Sequence, residues 1–212
     1  MDCLVDNPYT TWKDVNPALP DTEIDVLGPP PTSGTRDAFA ELAMEGGCKT
    51  FGWIKAHKKK SKAEYKSICH TVREDGHYTE AGENDNLIIQ KLKESPDTLG
   101  IFGFSFLEQN MDSVQGAKIK KGPSSDFTPP TFDSIADKSY PISRPLYFYV
   151  KKAHIGVVPG IEEYLNEFTS ESTWGDDGYL ADKGMIPLSQ AKRSEYVSKI
   201  KESAILTEIQ LK

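Results

Sequence analysis

The chain has 212 residues, 37% hydrophobic and 27% charged, enough for one large domain or two small lobes and too apolar for wholesale disorder. A net charge of −7 excludes general attraction to nucleic acid or anionic lipid, so any anion site has to be local. The densest apolar run, LGIFGFSFL (99–107), is strand-sized, which argues against direct insertion into a membrane.

In chain order, MDCLVDNPYT has neither a basic segment nor an apolar core, so no signal peptide is expected in this chain; read literally, that keeps it in the cytosol. Asn7-Pro8, Asn16-Pro17 and Leu19-Pro20 predict turns around a short helix near Trp12. TEIDVLG (22–28) alternates as a strand does. From Arg36 to Met44, the apolar residues Phe39, Leu42 and Ala43 fall on one helical face, and Gly46-Gly47 is expected to end that helix. A second helix is predicted over 52–69, its lysine run forming a solvated face. Another starts after Asn84 or Asp85 and stops at Ser95-Pro96. A strand is expected at 100–106, a loop with weak strand character at 110–133, and a β-rich run at 140–152. The helix of VPGIEEYLNEFTSE should hold Pro159 in its first turn. The loop at 169–189 should leave Trp174 exposed, and a last helix closes the tail. Strands alternating with helices predict an α/β fold.

The stretch PPPTSGTRDAFAELAMEGG (29–47) carries the chemistry. A helix beginning near Thr35 or Arg36 has unpaired N–H groups and a positive dipole end. Ser33 and Thr35 add hydroxyls, Gly34 permits close approach of backbone to ligand, and Arg36 supplies a fork matched to tetrahedral oxygens. The helix end contributes roughly 0.3–1 kcal/mol, against ~1.5–3 kcal/mol for each charge-assisted hydrogen bond. The hydroxyls and Arg36 therefore outrank the dipole. The alternative is that Ser33 or Thr35 only caps a helix. The stretch lacks the Gly-Lys-Ser/Thr ending of a nucleotide-hydrolase phosphate loop.

Three segments in one order, TWKDVNPALP…GPPPTSGTRDAFAELAMEGG, REDGHYTEAGENDNLIIQKL and DTLGIFGFSFLEQN, resemble the periplasmic phosphate-binding proteins of high-affinity ABC importers. The resemblance implies a two-lobed α/β fold of the type II periplasmic-binding-protein kind, hinging shut on inorganic phosphate. It also implies a membrane permease as partner, the periplasm as compartment, and neither enzymatic activity nor a cofactor. The family's Ser-Gly-Thr donors carry over to Ser33, Gly34 and Thr35, with Arg36 as the arginine. Arg73 is a second candidate, its alternative being an ion pair with Glu74 or Asp75. Residues 1–139 would form one complete, SGT-bearing lobe, and 140–212 the hinge return and C-terminal part of the other lobe, whose N-terminal part is missing. That departure leaves open a phosphate-responsive interaction or regulatory module, or a non-binding fragment. It also removes the family's proton-accepting aspartate. Asp37 does not replace it and is expected to pair with Arg36 or to favour the helix N-terminus.

Cys48 and Cys69 flank the predicted lysine-rich helix. A disulfide between them would suit an exported relative, and two reduced buried thiols are the alternative; Cys3 is expected to stay free. The spacing of Cys48, Cys69, His70 and His77 fits no common zinc motif, so no metal is expected. Glu74, Asp75, Glu80, Glu83 and Asp85 offer acids, but no nucleophile elbow or His-Glu zinc signature accompanies them.

Overall fold

A computed structural model describes residues 7–122 and 124–205; Cys3 lies outside the described residues. The chain forms two compact units, Met1–Lys118 and Ile119–Lys212.

The first unit is built on a parallel three-stranded sheet of order β2-β1-β3: β1 (Val26–Gly28), β2 (Tyr78–Glu80) and β3 (Leu99–Gly100). Val26 is in register with Tyr78 on one side and Leu99 on the other. Parallel strands need helical crossovers, and the sequence supplies them. The short helix α1 (Trp12–Val15) precedes the sheet, closed by a capping box between Thr11 and Asp14. α2 (Gly34–Ala38), a π-helical segment (Phe39–Met44) and α3 (Glu45–Cys48) run on continuously after β1. α4 (Gly52–Lys60) and α5 (Lys62–His70) lead to β2, and α6 (Asp85–Glu94) leads to β3. α7 (Phe104–Glu108) follows.

Leu27, Ala81 and Ile88 are buried together, with Leu92 and Phe102 packed against them, and this core fixes α6 on the sheet. Ile54, Tyr65 and Cys69 form a second cluster among α4 and α5. Cys48 and Cys69 are joined by a disulfide, with Cα atoms 6.0 Å apart.

Gly46-Gly47 lies in the last turn of α3, which ends one residue later, at Cys48. Several expectations are corrected here. The π segment shifts the inner face. The Glu45 amide donates to the Ala40 carbonyl five residues back, and Ala40 and Glu45 are the buried pair, whereas Phe39, Leu42 and Ala43 are only half-buried. The predicted 52–69 helix is two helices, broken at Ser61, whose extended backbone (φ −149°, ψ 109°) lets its hydroxyl cap α5 at the Glu64 amide. Of the expected strand at 100–106, only Gly100 is paired, in β3, and 104–106 belong to α7.

In the second unit, Ile119 and Thr128 form an isolated antiparallel bridge. α8 (Phe132–Ala136) starts at a Thr131–Ser134 capping box. The β-rich run 140–152 has no paired strand among the described residues. Instead Phe148 packs edge-on against Phe168 (4.5 Å) and Tyr164 (6.0 Å) of α9 (Ile161–Phe168). Gly160, at φ 88°, occupies the N-cap of α9, so Pro159 precedes the helix and is not in its first turn. α10 (Glu171–Trp174) holds Trp174 buried, contrary to the expected exposure. α11 (Gln190–Lys201) closes the unit. No helix among the described residues is long and apolar enough to cross a membrane.

Candidate functional site at the carboxyl edge of the sheet

Because β1, β2 and β3 are parallel, the turns that follow them open at one edge, the usual place for a ligand in an open α/β sheet. Hydrogen bonds tie these turns together. The Ala81 amide donates to the Gly28 carbonyl (2.9 Å) and the Ile101 amide to Leu27 (2.8 Å). The Thr32 hydroxyl donates to Glu83 Oε1 (2.6 Å), and the Gly103 amide to Asp85 Oδ2 (3.1 Å).

The Ser33–Arg36 stretch stands at this edge. Prolines 29–31 stiffen the exit from β1, and the Ser33 amide donates back to the Pro30 carbonyl (3.0 Å), closing a turn. Ser33, buried in extended conformation, is the N-cap of α2, and its Oγ accepts from the Thr35 amide (3.2 Å). The capping alternative is thus observed for Ser33. That bond uses an oxygen lone pair and leaves the hydroxyl proton of Ser33 available for donation. Gly34 is exposed and Thr35 is half-buried.

Arg36 is turned inward, its side chain 14% exposed. Nη1 donates to the Pro29 carbonyl (3.1 Å), and the guanidinium carbon lies 4.6 Å from the centre of the Tyr78 ring. Its nearest carboxylate is Glu80 at 3.9 Å, beyond hydrogen-bonding distance; the expected pairing with Asp37 is not formed, and Asp37 stays exposed in the first turn of α2. Burial pushes the Tyr78 phenol up, against the pull of the Arg36 charge. Burial also pushes the Asp85 carboxyl up, opposed by the Gly103 amide and reinforced by Glu83.

Arg73 is not brought to this place. It precedes β2, near the opposite edge of the sheet. Its Nε and Nη2 donate to the two oxygens of Asp75 (2.7 and 2.5 Å), while Nη1 donates to the Tyr9 carbonyl (2.8 Å). This bidentate pair holds the Asp75 carboxyl at about 2 and consumes the fork that an anion would need. The residues sequence reasoning missed are Tyr78 and Pro29, which hold Arg36. Their proximity comes from strand pairing, for which no local pattern exists. No cluster of three or more metal-ligating side chains occurs among the described residues.

Comparison with known proteins places the chain in a family. The model of the PBP superfamily domain matches residues 6–172. The phosphate-binding protein PstS of Staphylococcus saprophyticus is 32% identical over 191 residues, covering 90% of this chain and 49% of that protein. Its namesake from Staphylococcus haemolyticus is 33% identical over 176 residues, covering 81% and 46%. The chain thus spans about half the length of these relatives. Among solved structures, a possible phosphate binding protein from Planctomyces limnophilus superposes with a TM-score of 0.64 at 24% identity, covering 94% of this chain and 61% of that one, which shows a shared α/β fold. With most of its length matched by that model and its fold shared with a solved protein, the chain belongs to the PBP superfamily.

Proposed function

We propose that the Ser33–Arg36 helix start is a half-site for inorganic phosphate and that the chain serves, whole or as part of a longer protein, as the substrate-binding component of an ABC-type importer. The observation that carries this is the inward guanidinium of Arg36, held beside a helix start without a hydrogen-bonded carboxylate. The chain's similarity to proteins named for phosphate binding supports phosphate as the anion. Ser33, Gly34, Thr35 and Arg36 form the proposed site; Arg73 does not join it. In this reading the protein binds and releases its ligand without chemistry or cofactor, works in the periplasm and hands phosphate to a membrane permease. Residues 1–139 make up the SGT-bearing lobe and 140–212 belong to the other.

Two charge-assisted bonds at about 1.5–3 kcal/mol each, less ordering costs, predict a dissociation constant on the order of 1 mM for the isolated half-site. Titration followed by amide NMR tests this. Phosphate should shift the Ser33–Arg36 amides, and Arg36→Ala should weaken the response about tenfold while preserving the spectrum elsewhere. Amides that stay still at phosphate concentrations about tenfold above the predicted constant would sink the assignment.

A further inference from the structure

An arginine side chain is long and loses affinity for a ligand if it must be ordered on binding, so whatever fixes it beforehand contributes to recognition. For Arg36 the fixing groups are neutral. Its Nη1 and the Tyr78 hydroxyl both donate to the Pro29 carbonyl, at 3.1 and 3.0 Å, and the guanidinium lies over the Tyr78 ring at 4.6 Å. A carboxylate clamp would orient Arg36 equally well but would cancel its charge. A carbonyl and an aromatic face orient the cation and leave the charge for an anion. Glu80, half-exposed and 3.9 Å away, is too remote to be the main support.

The strand makes room for this arrangement. Tyr78 pairs with Val26, and its ring crosses β1 over Gly28, where an added Cβ would lie 2.2 Å from the phenol oxygen. Position 28 thus has to lack a side chain for Tyr78 to reach the Pro29 carbonyl.

We propose that Tyr78 is a positioning residue for anion recognition, holding Arg36 preordered at the Ser33–Arg36 helix start; this rests on the phosphate assignment above. The deciding experiment is a double-substitution cycle on the whole chain, read by phosphate titration of wild type, Tyr78→Leu, Arg36→Ala and the double variant. Tyr78→Leu should weaken phosphate binding about tenfold, within the range that cation–π support spans. In the Arg36→Ala background it should change nothing further. Tyr78→Phe, which keeps the ring, should stay within about threefold. Independently of phosphate, the Arg36 Hδ resonances should carry an upfield ring-current shift that Tyr78→Phe keeps and Tyr78→Leu abolishes. Equal weakening by Tyr78→Leu with and without Arg36, or none while Arg36→Ala weakens binding, overturns the positioning role and leaves the phosphate site standing. Absent phosphate binding in the wild type, or an Arg36→Ala variant that binds normally, overturns both. An unshifted Arg36 Hδ in the wild type overturns the positioning role even where Tyr78→Leu does not fold.

Discussion

Glu45 Oε1 and Lys58 Nζ, 13 residues apart in sequence, meet at 2.8 Å across α3 and α4. Glu45 is buried and is also reached by His70 Nε2 (3.2 Å), the Tyr65 hydroxyl (3.3 Å) and Lys49 (3.4 Å). Burial pushes its carboxyl up, but the hydrogen bonds from Lys58 and His70 and the charges of Lys49 and Lys58 outweigh that and hold it at about 2. A carboxyl depressed on folding contributes stability that is complete above about pH 4.5 and is lost as pH falls toward about 2. The full shift would be worth about 3 kcal/mol. Lys49 and Lys58 are half-exposed and screened, so on the order of 1–2 kcal/mol is expected. Glu45→Gln should therefore lower the urea midpoint at pH 7 and flatten its decline between pH 4.5 and 2. A variant with an unchanged acid limb would contradict the network.

The Cys48–Cys69 disulfide, 21 residues apart in sequence, staples α3 to α5. Closing a loop of that size restricts the unfolded chain by about 3 kcal/mol. Reduction, or the Cys48→Ser/Cys69→Ser double substitution, should lower the denaturation midpoint of the first unit by a corresponding amount. Titration with urea, with and without reductant, checks it. Coincident curves would show that packing of Ile54 and Tyr65 alone sets the stability of this cluster.

The parts of the fold legible in the sequence are those written locally. Asn84 caps α6 by accepting from the Asn86 amide (3.0 Å), and that start was readable because the cap and its apolar helix are adjacent. The Ser33 cap was readable for the same reason. Strand β2 was not: Tyr78–Glu80 is short and polar on one side, and only pairing with Val26–Gly28 makes it a strand. The run from Leu99 to Leu107 misled because an apolar stretch of that length does not distinguish strand from helix; two residues pair in β3, and α7 begins after Gly103. The aromatic run at 146–149 has strand propensity but no paired neighbour, and propensity alone does not build a ladder. In the candidate site, the helix start at Ser33 to Arg36 could be read directly, whereas the contact of Arg36 with Tyr78, 42 positions later by sequence number, depends on the sheet.

Arg193 holds the second unit together. Its side chain is 3% exposed; Nε and Nη2 donate to the Glu171 carboxylate (3.2 and 3.0 Å), and Nη1 donates to Asp176 (2.9 Å) and to the Leu188 carbonyl. The partner carboxylates are largely exposed, so removing the arginine strands no buried charge but loses a bidentate pair and a packed stem. Arg193→Ala should destabilise this unit by about 2 kcal/mol, and Arg193→Lys by a similar amount because an ammonium cannot form the fork. Faster amide exchange across α9 to α11 is the expected readout. Unchanged exchange in both variants would show the clamp to be dispensable.

Capping and ligand binding by Ser33 can be separated by choosing what replaces it. Glycine at an N-cap costs only a few tenths of a kcal/mol, whereas alanine costs about 1 kcal/mol. Both remove the hydroxyl proton that would reach a phosphate oxygen. If Ser33 binds the anion, Ser33→Gly should leave the melting midpoint nearly unchanged and weaken phosphate binding about tenfold or more, the worth of one charge-assisted bond. Ser33→Ala should lose both stability and affinity. If Ser33 only caps, affinity should follow stability, with Ser33→Gly close to wild type in each. Thr35→Val supplies the control, since the Thr35 amide donates to Ser33 Oγ whichever side chain stands at 35, and only a hydroxyl contact to phosphate would be lost. A Ser33→Gly variant with wild-type phosphate affinity would confine Ser33 to the role of a helix cap and leave Arg36 to carry recognition alone.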